Sequence, residues 1–274
     1  MLSLSLMVTL LASYACSQTQ DLKSLSMDEI NPAEAKRSGA QLMRLKDGLH
    51  RLNADSKTVQ DARPRLVLVH GYGSRGYEWV YAAHRLAHHG AVYFYRWNWD
   101  QCPQEAGAAL LESIHKLAEL NPKRPIEVWG HSYGGVITAV AAARYRGSAP
   151  LTAQVIASPV AGHPLLEERC AVSIKELTRD LERTSAPPPA VSPSASAAQP
   201  LPIRSHALKI TAKINQWRTQ HHLDGAFKRL KVDPQIVAWR GEVIRLPDAY
   251  RERRLGHNWS ISWVVDHLYP ASSP

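Results

Sequence analysis

The most constraining feature of this chain is a junction of three pieces. Ile126-Glu127-Val128-Trp129 is a short, largely apolar run with the character of a buried strand. Gly130-His131-Ser132-Tyr133-Gly134-Gly135 follows at once, and residues 136–144 then read as an alanine-rich helix. A bare Gly-x-Ser-x-Gly pattern arises by chance in about one chain in ten of this length at average Gly and Ser usage, so the flanks decide its meaning. Between a strand and a helix the chain must turn sharply. Such a turn lifts Ser132 above the end of the strand in a strained conformation, and glycine stands at 130 and 134 because neighbouring backbone passes too close for a Cβ. A serine hydroxyl is a weak nucleophile until a base takes its proton. An exposed serine on such an elbow is therefore a candidate nucleophile.

The surroundings repeat one theme. Arg65-Leu66-Val67-Leu68-Val69 is a continuous apolar run, as expected of a parallel strand buried on both faces. Residues 77–89 have helical spacing and stop at Gly90, and residues 91–97 form the next strand. A helix over 105–120 ends at Asn121-Pro122, a second helix covers 134–145, and a strand covers 153–157. Strand and helix in alternation predict an α/β fold, with a mostly parallel central sheet and helices on both faces. Ligands in such sheets sit beyond the carboxyl ends of the strands. The pattern breaks over 158–204, which holds Pro187-Pro188-Pro189 and a Ser/Ala/Pro-rich stretch at 191–202. That stretch is too polar and Pro-rich to pack as a core and reads as a flexible loop; any helical lid lies in 164–183. Strands at 208–217 and 235–246, the latter interrupted near Gly241, and a helix from about Trp259 complete the domain, which spans 64–157 and 205–270.

Two further segments complete a site. His70-Gly71-Tyr72-Gly73 ends the first apolar strand, about sixty residues before the serine. Acyl transfer needs two N–H donors aimed at a developing oxyanion. The Tyr133 amide, at the start of a helix, and the Tyr72 amide are the candidates, with Gly71 and Gly73 letting the loop turn in close. Gly256-His257-Asn258 carries the candidate base. The chain has 13 histidines, but only His257 has the right place in the order serine, acid, histidine. His163 is a weaker alternative. The acid that would orient the imidazole is Asp224, in His222-Leu223-Asp224-Gly225, ahead of Asp233, Asp248, Glu242 and the pair Glu167 and Glu168. Asp233-Pro234 reads equally as a turn starter. Trp97, Trp99 and Trp259 are candidates to line an apolar pocket, whereas Trp79, Trp129 and Trp217 read as core.

Together these segments resemble the lipase and esterase branch of the α/β-hydrolase superfamily over 65–267. His70-Gly71-Tyr72-Gly73 resembles its oxyanion loop, the Gly-His-Ser elbow its nucleophile turn, and Gly256-His257-Asn258 the segment carrying its base. Ser158-Pro159-Val160-Ala161-Gly162 resembles a Thr-Pro-His-x-Gly segment of many triacylglycerol lipases, with Val160 in place of the His. The family's first two strands have no clear counterpart, so a reduced sheet is expected. The resemblance implies hydrolysis of a carboxylic ester through an acyl-enzyme, with no metal and no organic cofactor. An acyltransferase or thioesterase would use the same residues, and a non-catalytic binding protein on the same scaffold is the alternative of another class.

The rest of the chain bounds where such a protein works. Residues 1–20 carry no charge and include an apolar run too short to span a bilayer, as in a secretory signal. Cys16 follows Ser13-Tyr14-Ala15, the place of the acylated cysteine in a bacterial lipoprotein. Ser13 stands where such signals usually carry Leu, and no cation precedes the apolar run, so lipidation stays open. Export is the expectation, to the periplasm or to a membrane surface through Cys16. Residues 21–63 read as a polar tether. Cys102 and Cys170 would either pair in an oxidising compartment or stay as two buried thiols. The formal charge of +9 is scattered and accompanied by no nucleic-acid-binding motif, so a nucleic-acid partner is not expected. Oligomeric state is open.

Overall fold

The computed structural model describes residues 25–53, 62–164, 168, 170, 212–237 and 241–270. Its centre is β2 (Arg65–Val69), buried at every position. Side chains of a strand alternate between faces, so Leu66 and Leu68 enter one apolar core while Val67 and Val69 enter the other. β3 (Ala91–Arg96) and β4 (Ile126–His131) flank β2 in parallel register. β5 (Leu151–Ile156), β6 (Lys213–Arg218) and β7 (Glu242–Arg245) extend the sheet, again in parallel. Beyond β3, β1 (Gly48–Arg51) pairs antiparallel, so the described residues form a seven-stranded sheet in the order β1-β3-β2-β4-β5-β6-β7. A short hairpin of β8 (Ala249–Tyr250) and β9 (Arg253–Arg254) stands apart from it. The fold is the α/β architecture expected from the alternation of elements.

Helices cover both faces. α1 (Ala35–Met43), α2 (Tyr77–Ala87) and α5 (Trp259–Leu268) pack on the face reached by Leu66 and Leu68. α3 (Pro103–Leu120) and α4 (Tyr133–Arg144) pack on the other. α4 is buried on every side, which is why it is built from small residues. Where α3 crosses it, a Cβ at Gly107 would lie 2.6 Å from a methyl of Val140. No helix among the described residues is long and apolar enough to cross a membrane.

Several expectations need correction. Residues 21–63 were expected to be a tether, but residues 30–52 are built into the domain. Ile30, Leu42 and Leu52 are fully buried, and β1 is an edge strand of the sheet. Helix α1 docks through small residues: a Cβ at Gly39 would fall 2.3 Å from the backbone of Tyr77. Of the strand expected over 235–246, Glu242–Arg245 is formed and 235–237 is not strand, with 238–240 outside the described residues. Gln235 is buried for another reason, since its side chain binds the backbone N–H and C=O of Thr219. The strand expected from residue 208 begins at Lys213, with 208–211 outside the described residues. Cys102 and Cys170 are joined by a disulfide, with Cα atoms 5.7 Å apart. Cys16 and the apolar leader, the 171–183 part of the expected lid, and the Pro-rich stretch at 187–202 all lie outside the described residues.

Candidate active site

Ser132 sits between β4 and α4 with φ 55° and ψ −126°, a region that few residues other than glycine occupy. The strain is held by close packing on both sides. A Cβ at Gly130 would lie 2.4 Å from Thr138 Oγ1 and 2.5 Å from the Gly134 carbonyl. One at Gly134 would lie 2.4 Å from the carbonyl oxygens of both Val69 and His70. The Ser132 N–H donates to the Ile156 carbonyl at 3.0 Å, which ties the elbow to the end of β5. The serine is partly exposed on this platform.

The loop after β2 reaches the elbow from the other side. A Cβ at Gly71 would stand 2.9 Å from the Ser132 Cβ and 3.5 Å from its Oγ, so only glycine lets this backbone approach. The next residue, Tyr72, is half exposed at the rim. His70 fixes the loop from behind. Its Nδ1–H donates to the Gly71 carbonyl at 3.0 Å, and its Nε2 accepts from the Trp97 amide at 3.2 Å. Those two bonds select one neutral tautomer. Burial pushes the ring down to about 4, in keeping with that assignment. The Trp97 indole N–H donates back to the His70 carbonyl at 2.9 Å.

His257 and Asp224 come from the far part of the chain. Asp224 is fully buried and its Oδ2 stands 3.0 Å from His257 Nδ1. The same oxygen accepts from the Thr219 hydroxyl at 2.5 Å, and Oδ1 accepts from the amides of Ala226 at 2.8 Å and Phe227 at 3.3 Å. Burial alone would raise this carboxyl. The hydrogen bond and charge of His257, with the bonds from Thr219 and Ala226, outweigh it and hold Asp224 below the usual carboxylate range. The Phe227 ring meets the His257 ring edge to face at 4.9 Å. His131, next to the serine, donates from Nε2 to the His257 carbonyl at 3.0 Å. Burial and the neighbouring His257 lower His131 to about 3, so it acts as a neutral clasp.

Ser132 and His257 line one cavity of about 500 Å³, with Tyr72, Trp99, Tyr133, Phe227 and the Cys170 half of the disulfide in its wall. His163 and Glu168 also face this cavity. The expected triplet Ser132, Asp224 and His257 is thus gathered at one place, and Tyr72 and Tyr133 flank it. Of the competing acids Glu168, an exposed residue, faces this cavity, whereas Asp233, Glu242 and Asp248 stand elsewhere. Asp233 caps its own turn by accepting from the Gln235 amide, Glu242 is exposed beside Lys213, and Asp248 is exposed. Glu167 lies outside the described residues. Of the three tryptophans expected to line a pocket, only Trp99 does so. Trp97 is buried as a brace for His70, and Trp259 is 42% exposed. His70, His131, Thr219 and Phe227 went unassigned in the sequence, because only their partners across the fold distinguish them. No group of three or more His, Cys, Asp or Glu among the described residues is placed to hold a metal.

Residues 66–266 match the family model described as the alpha/beta hydrolase family. The chain is similar in structure to the carboxylesterase CesB of Bacillus subtilis, at 14% identity over 88% of this chain and 96% of that one, with a TM-score of 0.46. It is also similar to Est1E of Butyrivibrio proteoclasticus, at 13% identity over 81% of this chain and 96% of that one, with a TM-score of 0.49. Among curated proteins, none matches the sequence.

Proposed function

The chain belongs to the alpha/beta hydrolase family, and we propose that it is a serine hydrolase cleaving carboxylic esters through an acyl-enzyme. One observation carries the reading: a His257 ring paired with buried Asp224 at 3.0 Å opens on the same cavity as a serine held at φ 55°. In this reading Asp224 keeps the His257 proton on Nδ1, so Nε2 is left to act as base. Ser132 Oγ attacks the ester carbonyl as its proton passes to Nε2. The amides of Tyr72 and Tyr133 receive the oxyanion, and each such donor contributes on the order of 10²- to 10³-fold to rate. His257 then hands the proton to the departing alcohol. Water enters, loses its proton to His257, and attacks the acyl-serine, which releases the acid and restores Ser132.

The apolar leader supports export, with Cys16 as the residue that would carry a lipid. The Cys102–Cys170 disulfide supports the same reading, since such bonds persist in oxidising compartments.

The test is covalent labelling by a fluorophosphonate probe, beside Ser132→Ala and His257→Ala variants. The expected result is labelling of the parent protein that both variants lose. A folded parent protein that takes no label would leave only a binding protein on a hydrolase scaffold.

A further inference from the structure

His257 follows closely on the hairpin of β8 and β9, which pairs two residues with two and stands apart from the sheet. A hairpin this short is marginal in water unless something else holds it. Its turn is also strained. Arg251 and Glu252 fill the two central positions with φ 49° and 59°, a left-handed pair for which hairpins favour Asn-Gly. Strain of this kind persists only where the surroundings impose it, and the outlier points to a role.

The turn delivers the Arg251 side chain. Its guanidinium lies over the rings of Tyr81 and Tyr250, 4.9 and 5.0 Å from their centres. Its Nη2 donates to the Tyr81 hydroxyl at 2.6 Å and to Asp266 Oδ2 at 2.7 Å. The Tyr81 hydroxyl donates to Asp266 Oδ1 at 2.7 Å, and the Tyr250 hydroxyl donates to Oδ2. Partial burial alone would raise the Asp266 carboxyl. The bonds from Tyr250, Tyr81 and Arg251 outweigh it and hold Asp266 below the usual carboxylate range, so the acceptor stays ionised. Glu252 is exposed and enters none of these contacts.

Three elements meet at this cluster. Tyr250 and Arg251 belong to the hairpin before His257, Asp266 to α5, which begins two residues after it, and Tyr81 to α2. Helix α2 starts where the Tyr72 loop ends, with Gly76 as its N-cap. Tyr77, Tyr81 and Arg85 recur every four residues and so share one face of that helix. Each reaches the chain around His257. Tyr77 accepts from Asn258 at 3.3 Å, Tyr81 accepts from Arg251, and Arg85 stands 3.5 Å from Asp266.

We propose that Arg251 is a positioning residue for the base: it ties both flanks of His257 to the helix that issues from the Tyr72 loop, and so sets where the imidazole stands relative to the oxyanion donors. The inference rests on the ester-hydrolase reading. Arg251 touches no reacting atom and acts through the chain on either side of His257. Its side chain is 52% exposed, and exposed ion pairs add little to stability. Its loss should therefore disturb alignment and leave the fold. Misplacing a catalytic group by about 1 Å costs on the order of 100-fold in rate. With Asn258 and His131 still holding the segment, removal of the guanidinium should cost about 10-fold.

The experiment measures kcat/KM for p-nitrophenyl butyrate, the melting temperature, and the low-field proton resonance of the Asp224–His257 hydrogen bond. Arg251→Ala should lower kcat/KM about 10-fold and broaden or abolish the resonance, with little change in melting temperature. Arg251→Lys, which keeps the charge, should restore part of the rate. Tyr81→Phe, which keeps the ring, should lower it several-fold. Glu252→Gly, which relaxes the turn and keeps the cluster, should match the parent protein. A folded Arg251→Ala protein with the parent rate would overturn the proposal, as would a lost rate beside an unchanged resonance. A Glu252→Gly protein as slow as Arg251→Ala would overturn the role of the guanidinium. Should Arg251→Ala fail to fold, parent rate and resonance in Tyr81→Phe would overturn it instead. Each of these outcomes leaves the hydrolase reading standing. A parent protein that neither turns over the ester nor takes the fluorophosphonate label would overturn that reading and this inference with it.

Discussion

Ser132 and His257 reach the same cavity by opposite means. The serine stands on backbone: β4 and α4 are joined with no spare residue, and the glycines at 130, 134 and 71 admit carbonyls and the Ser132 Cβ where side chains would stand. The elbow itself is held by backbone and packing, and in this half it is the Gly71 loop that side-chain hydrogen bonds brace, through His70 and Trp97. His257 and Asp224 stand instead in irregular chain after β6 and β7, and side chains hold them: Thr219 on the carboxylate, Phe227 against the ring, His131 on the backbone carbonyl. The difference teaches where each half is vulnerable. A backbone platform fails all at once, when a methyl group forces two strands apart. A side-chain scaffold fails piecemeal, and loses alignment before it loses the fold.

The strongest way to break this comparison is Asp224→Asn. If the side-chain half sets alignment and not stability, ester turnover should fall by about 10³- to 10⁴-fold, from loss of the required His257 tautomer. The melting temperature should change far less than that loss implies. A variant that unfolds instead would show that Asp224 is a structural pin, and the contrast would collapse.

Gly134→Ala addresses the other half. Its added Cβ meets the carbonyl oxygens of Val69 and His70, both backbone, at 2.4 Å, so no rotamer change relieves the clash. Stability should drop by about 3 kcal/mol, measured by denaturant unfolding, with activity lost in the same step. Wild-type stability in this variant would mean that the elbow is looser than the contacts require.

Mild acid has the smallest effect per step and sharpens the comparison at its seam. His131 belongs to the elbow but clasps the His257 loop, and His70 braces the Gly71 loop; both are buried and neutral, with values near 3 and 4 against an ordinary 6.5. A depressed histidine binds its proton more readily in the unfolded chain. Its contribution is therefore complete above about pH 6.5 and is lost as pH falls toward its folded value. Each histidine should contribute at most about 1.4 kcal/mol of lost stability per pH unit in that window. Unfolding midpoints measured from pH 7 to pH 4 should fall, and His131→Gln should flatten the slope. A flat profile in the parent protein would mean that these rings are protonated without penalty.

The same contrast explains what could be read from the chain. β2, β3, β4 and β5 are apolar runs because both their faces are covered, so each strand announces itself locally. The Ser132 elbow is equally local, since its glycines answer to neighbours in the motif and in the adjoining strand. β1 is four half-buried residues, Gly48–Arg51, with no apolar run to betray it. α1 buries Ser38, Gly39 and Leu42, a face defined by smallness and not by hydrophobicity, so residues 30–52 pass for a tether. Asp224 could be ranked by chain order, but what separates it from Asp233 is a histidine 33 residues away and the hydroxyl of Thr219. Such contacts leave no mark on periodicity.

Time enters through the His131–His257 clasp. The two residues lie 126 positions apart. At the speed of a ribosome, on the order of ten seconds separate their appearance. In that interval the serine turn is made first, then β5, β6, Asp224 and β7, and His257 comes last. Under the proposed mechanism a nascent chain therefore carries its serine unarmed, and the closing of one hydrogen bond from His131 is among the last events that could arm it.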